Sequence, residues 1–333
     1  MSCDNPRSTE ENTPPPVLAT LVTDTPEHAM PAPTEAAAHG NSPGVVRSRI
    51  WPAITVPILA TICSAMLSTA ALVVAGLVYT GPRVMTDSLQ DLMWLEEFYT
   101  RPEGLLVLSL PSQSVLFCAA LGAASLSPIP WQRRLGLTRG SLPVWNWCVF
   151  ATATPLVGLV TSFFASRLLT DMGENLEILN RIIASFGGSR LPLVFLLIAV
   201  VPGVVEELLF RGYVQTRLLA RLPAASAILI SSVLFAIAHM DPVHSLLVLP
   251  LGIWMGIVAW RVKSILPAML CHLANNAVSI LELQVHSADT ADTLFTTAEW
   301  GVLLVCGPAM VLSVFLLIQA DRTAGHAASA MLP

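Results

Sequence analysis

Three short polar clusters interrupt long apolar runs: Glu206-Glu207-Leu208-Leu209-Phe210-Arg211, Phe235-Ala236-Ile237-Ala238-His239 and His272-Leu273-Ala274-Asn275-Asn276. An ionisable group in so apolar a setting costs a few kcal/mol or more, so each calls for a chemical or structural reason. On a helix, Glu207 and Arg211 stand four residues apart on one face and can pair. Glu206 is turned by about 100° from Glu207 and is left for partners on other helices. His272 and Asn276 are again four apart and face the same way, with Asn275 turned aside. A carboxylate beside an imidazole can take a proton from water and generate a nucleophile. A second imidazole and an amide can donate to the oxyanion of an acyl-transfer transition state. One carboxylate and two neutral imidazoles can instead hold a divalent metal such as zinc, with a position open for water. Both routes end in peptide-bond hydrolysis, and the residues by themselves fit either.

The clusters lie on apolar blocks near twenty residues long, the length that crosses a bilayer. Eight spans are predicted, at 54–79, 104–126, 143–166, 191–211, 224–240, 243–261, 264–282 and 299–319. The fold class is therefore an all-α polytopic membrane protein of eight transmembrane helices, with its polar site near the cytoplasmic half. Residues 1–49, rich in Pro, Thr and Ala, cannot bury enough surface to offset their ordering entropy and are predicted to be a disordered tail. The membrane domain spans 50–322, its motif core about 190–280, and a short C-terminal tail covers 323–333. Residues 171–190 read as an amphipathic surface helix ended by Gly187-Gly188. If one helix runs to Leu222 and turns at Pro223, Glu206 lies 16 residues before the turn and His239 16 after it. Both then sit about 24 Å from the turn, and His272, nine residues from Lys263, about 13 Å inward of its own boundary. A Glu, two His and an Asn are expected to meet there.

Composition excludes the other classes. The 333 residues are 54% hydrophobic and 12% charged, with a mean hydropathy of +0.68. That is about half the charge of a globular domain, which rules out a soluble enzyme, a disordered protein and a disulfide-stapled module. A net charge of −5 without a basic stripe argues against nucleic acid as a partner. Five of the six cysteines lie in apolar blocks and none forms a CxxC pair, so they read as small hydrophobes. Lys and Arg divide twelve against five between the two sides, which puts both termini in the cytoplasm. On that count Arg133, Arg134 and Arg139 set topology. Asp241 and His244 read as turn residues, Cys271 as core, and Gly252 and Gly256 as a GxxxG packing surface.

The order EExxxR, FxxxH and HxxxN on successive spans resembles the CAAX protease and bacteriocin-processing (CPBP, or Abi) family of intramembrane endopeptidases. This family includes the type II CAAX prenyl endopeptidases of the Rce1 type and the lysostaphin-resistance-protein-A-like proteins. The resemblance covers about 190–280 well and the flanking spans by hydropathy alone. It implies that Glu206, His239, His272 and Asn276 are catalytic, with Glu207, Arg211 and Phe235 in support. The glutamate and one histidine would activate water, and the other histidine and Asn276 would stabilise the oxyanion. A metal, if bound, would take Glu206, His239 and His272, although the zincin HExxH is absent. The implied substrate is a membrane-anchored, lipidated or peptide chain, and the implied setting a lipid bilayer, here a bacterial inner membrane. The alternative is a silent scaffold or bacteriocin-immunity protein that binds a peptide in the same cavity.

Overall fold

The computed structural model describes residues 49–81, 93–169, 174–285 and 296–329, all within the unit Ser48–Pro333. Most of the expected N-terminal tail, the start of the expected surface helix and most of the 283–298 loop lie outside the described residues. Every element among them is helical. In chain order they are α1 (Trp51–Thr80), α2 (Met93–Tyr99), α3 (Pro102–Ser125), α4 (Trp131–Arg134), α5 (Val144–Ala153) and α6 (Pro155–Leu168). They continue with α7 (Glu174–Ser185), α8 (Gly188–Leu219), α9 (Ala224–Ile237), α10 (Pro242–Val262), α11 (Leu266–Val285) and α12 (Thr297–Ser329).

Among the described residues, six helical segments are long and apolar enough to cross a membrane: α1, α3, α5 with α6, α8, α10 and α12. Two of the eight expected spans, both on motif-bearing helices, fall short of that standard. At 14 residues, α9 is about 21 Å long, less than the hydrocarbon core of about 30 Å. The 20-residue α11 carries His272, Asn275, Asn276 and Glu282, which make it amphipathic rather than apolar throughout. The span expected at 143–166 breaks at Thr154, because Pro155 has no N–H to continue the ladder. Thr154 Oγ1 donates to Phe150 O at 2.7 Å and accepts from Trp254 Nε1 at 2.9 Å, tying the break to α10. The amphipathic α7 ends at Ser185, two residues before the predicted glycine pair.

Of the six, α8 is the most buried, and α1 and α12 the least. Peripheral helices that are apolar all round expose Leu59, Met66, Val78, Leu304 and Val311, as lipid-facing surfaces do. The main core gathers Phe150, Leu209, Phe210, Tyr213, Phe235, Met255, Val258 and Cys271 from five helices. Phe210 lies twelve residues before Leu222 and Phe235 twelve after Pro223, and their rings meet edge-on at 5.4 Å. Thus α9 does return beside α8 as the turn predicted. Gly252 and Gly256 let α10 approach α8 and α9. A Cβ on Gly256 would sit 2.9 Å from both Gln215 Oε1 and Ile228 Cγ2.

Candidate active site

The geometry of α8 starts with Pro202. Lacking an N–H, it cannot donate to Ile198 O four residues back, and the helix widens into a π segment at Phe195–Val200. Two side chains from other helices serve the carbonyls there. Ser109 Oγ donates to Leu197 O at 2.9 Å, and Asn276 Nδ2 donates to Ile198 O at 3.0 Å. A second π segment, Leu208–Gln215, follows the glutamates, and Ser231 Oγ donates to Phe210 O within it at 2.8 Å. Glu206 and Glu207 therefore ride on a short α segment, Val201–Glu207, clamped between two widened turns. Such π segments recur at functional sites.

The two glutamates diverge as their spacing predicts. Glu207 is fully buried and accepts from Arg211 Nη1 at 2.8 Å and from His272 Nδ1 at 3.1 Å. Arg211, also buried, donates through Nη2 to Gly252 O at 3.0 Å and stacks its guanidinium 4.3 Å from the Phe235 ring centroid. Burying a charge is costly unless it is paired and hydrogen-bonded, and here each charge supports the other. Glu206 turns the other way. Its Oε1 accepts from Gln113 Nε2 on α3 at 2.9 Å, and its buried Oε2 lies 4.0 Å from His272 Nε2 without a hydrogen-bond partner. Close approach of α8 and α11 makes this possible: a Cβ on Gly203 would stand 3.1 Å from Leu273 N.

The histidines flank one aromatic ring. His239 packs edge-on against Phe235 with centroids 5.1 Å apart, and His272 does the same at 5.8 Å. His239 Nδ1 donates to Phe235 O at 3.0 Å, which fixes the tautomer and leaves Nε2 available. Glu206 and His239 do not meet directly in the described contacts, although they are equidistant from the turn. Glu206 faces α3 and α11, while His239 faces α10, where the His244 ring lies 4.5 Å away.

The structure thus brings Glu206, Glu207, Arg211, Phe235 and His272 together, sets His239 across the Phe235 ring, and ties Asn276 to the π segment. Among the described residues no three His, Cys, Asp or Glu side chains are grouped to hold a metal ion. Two ligands of one tetrahedral zinc lie about 3–3.5 Å apart. Here the Glu206–His272 separation is 4.0 Å and His239 turns to α10. The set Glu206, His239 and His272 does not fit a zinc site in this arrangement, and no step below passes through one.

Three contributors escape a reading of the sequence. Gln113 and Ser109 sit in an unremarkable apolar span, and only the packing of α3 on α8 aims them at the glutamate segment. His244 is no mere turn residue, since one turn of α10 carries its ring back over His239. Asp241 keeps the role expected of it: its Oδ1 accepts from His244 N at 2.8 Å and caps α10. An open apolar groove of about 500 Å³ runs along the first turns of α8, lined by Gly188, Leu191, Pro192, Phe195, Leu196 and Val200. It contains none of the polar site residues.

No curated protein and no solved structure matches the chain. Residues 188–278, which hold every motif residue above, match the family model described as type II CAAX prenyl endopeptidase Rce1-like, the group that the ordered motifs resemble.

Proposed function

We infer that the chain is an intramembrane endopeptidase that cleaves membrane-anchored, lipidated or peptide substrates with a water activated by Glu206 and His272. One observation carries this reading: the partnerless Glu206 Oε2 faces His272 Nε2 across 4.0 Å. Two acceptors so spaced can each reach one water molecule at about 2.8 Å. Glu206 takes the proton, and Gln113, bonded to the other oxygen, keeps the carboxylate aimed. Glu207 holds His272 in the Nδ1–H tautomer, and Arg211 holds Glu207, so His272 Nε2 presents a lone pair to the water. The hydroxide attacks the scissile carbonyl. The second N–H of Asn276 is a donor for the resulting oxyanion. Glu206 then passes the proton it took from water to the leaving amine, which closes the proton balance. The all-helical bundle with six candidate spans supports a substrate that approaches from the bilayer.

The test compares protein N- and C-termini in membranes that express wild type or Glu206→Gln at equal abundance. New termini confined to the wild type identify both the activity and its substrates. Identical termini, with the native phenotype still rescued by Glu206→Gln, would overturn the enzyme reading in favour of peptide binding alone.

A further inference from the structure

The short helix α4 carries Arg133 and Arg134 on a connection that the sequence assigns to topology alone. Arginines that only orient a span keep their charged heads in water or among headgroups. Arg133 does so, but Arg134 is only 6% exposed, and its Nε has no hydrogen-bond partner. Its backbone is pinned, because Thr216 Oγ1 donates to Arg134 O at 3.0 Å. The adjoining loop is held under the α10–α11 turn by Ser141 N to Val262 O at 2.8 Å and Ile265 N to Gly136 O at 3.1 Å.

Among the described residues Arg134 has a cationic neighbour and no acidic one. Its guanidinium carbon lies 5.9 Å from the centroid of the Tyr213 ring, and that of Arg217 lies 5.4 Å from the same ring. Arg217 is fixed by Nη1 on Tyr213 Oη at 3.0 Å and by Nε on Arg49 O at 2.8 Å. No carboxylate among the described residues pairs with either arginine. The segments that build this corner carry no Asp or Glu, from 104 to 170 and from 208 to 240. Burial, and then the charge of Arg217, hold the Arg134 guanidinium below its ordinary range, as expected for a cation short of a counter-ion. A buried guanidinium beside a second one, with an N–H unpaired, is costly unless an anion completes it.

We propose that Arg134, Tyr213 and Arg217 bind a phosphate-class anion, either a phospholipid headgroup phosphate or free inorganic phosphate, where α8 emerges from its apolar span. The donors suit that chemistry: the Arg134 Nε–H, the remaining Arg217 N–H groups, and the Tyr213 hydroxyl, which accepts from Arg217 and keeps its own hydrogen to give. Arg217 stands two residues before the end of the candidate span at Leu219, the level at which headgroups lie. The site is separate from the Glu206 region and would stand even if the chain cleaved nothing.

The full chain, purified in a neutral detergent and a phosphate-free buffer, is titrated with phosphatidylglycerol in mixed micelles. In a second arm it is titrated with inorganic phosphate against chloride of equal ionic strength. The readouts are the thermal unfolding midpoint and the lipid retained in native mass spectrometry. The expected result is a saturable rise of the midpoint with one bound equivalent, weakened at least about tenfold in Arg134→Gln by loss of a charge-assisted hydrogen bond. Arg133→Gln, an equal change of charge on the exposed neighbour, leaves the titration unchanged. Saturation by phosphatidylglycerol alone assigns the headgroup, and saturation by phosphate assigns the free ion. If Arg134→Gln does not fold, Arg217→Gln shows the same weakening. No saturable response to either probe, or equal weakening by Arg133→Gln, overturns the proposal.

Discussion

Glu207→Gln removes one charge and almost no volume, so it isolates what the buried Glu207–Arg211 pair contributes. Arg211 would remain 1% exposed with its 2.8 Å partner neutralised, and His272 Nδ1 would lose an anionic acceptor. Breaking a buried pair in this way costs about 3–5 kcal/mol. That is a large part of a total stability of about 5–15 kcal/mol. Arg211→Met in the same background removes the orphaned cation. It also removes the bond to Gly252 O and the contact with Phe235, each about 1–2 kcal/mol. The double variant is therefore expected to be no less stable than Glu207→Gln, with at least about 2 kcal/mol of coupling between the sites. Unfolding by an anionic detergent in mixed micelles, followed through the protein's eight tryptophans, gives the four free energies of the cycle. If the two substitutions add to within about 0.5 kcal/mol, the residues are not paired and the argument fails.

Other substitutions test the remaining links. Gln113→Leu removes the donor to Glu206 Oε1 and is expected to lower kcat about tenfold with KM and the unfolding midpoint nearly unchanged, measured on a cleaved substrate. An unchanged kcat would detach α3 from the site. Phe235→Ala empties the space between His239, His272 and Arg211 and should cost about 3–5 kcal/mol in the same unfolding assay. Gly256→Leu forces side-chain atoms onto Gln215 and Ile228, and a loss of at least about 1–3 kcal/mol is expected; a neutral result would deny the close α8–α10 approach. Because Glu206, His239 and His272 do not converge as ligands, cleavage should survive a zinc chelator. Loss of activity that zinc restores would revise the water-activation step.

Much of this protein could be read without its tertiary structure. Apolar blocks near twenty residues fix most helices within a few residues of their observed ends, because a backbone in lipid must satisfy its own hydrogen bonds, while α8 and α12 run eight and ten residues past the apolar blocks expected at 191–211 and 299–319. The i, i+4 spacing fixes the Glu207–Arg211 pair and sends Glu206 elsewhere, since helical periodicity is a local property. The break at Thr154 before Pro155 and the widened turn before Pro202 are not part of that reading, which takes 143–166 as one unbroken span.

Which neighbours those residues find is not local. The packing of α3 on α8 decided that Glu206 faces Gln113. The π segments and the turn of α10 set His239 beside His244 instead of Glu206. Two of the eight expected spans fall short of a crossing helix by length or composition among the described residues, because α9 is short and α11 carries polar residues. Arg134 and Arg133 are chemically identical neighbours in the chain, and only the fold buries one and leaves the other in solvent. Sequence determines what a residue can do through its chemistry and its helical phase. Tertiary structure decides what it meets, because desolvation and partner geometry are set by segments far away in the chain.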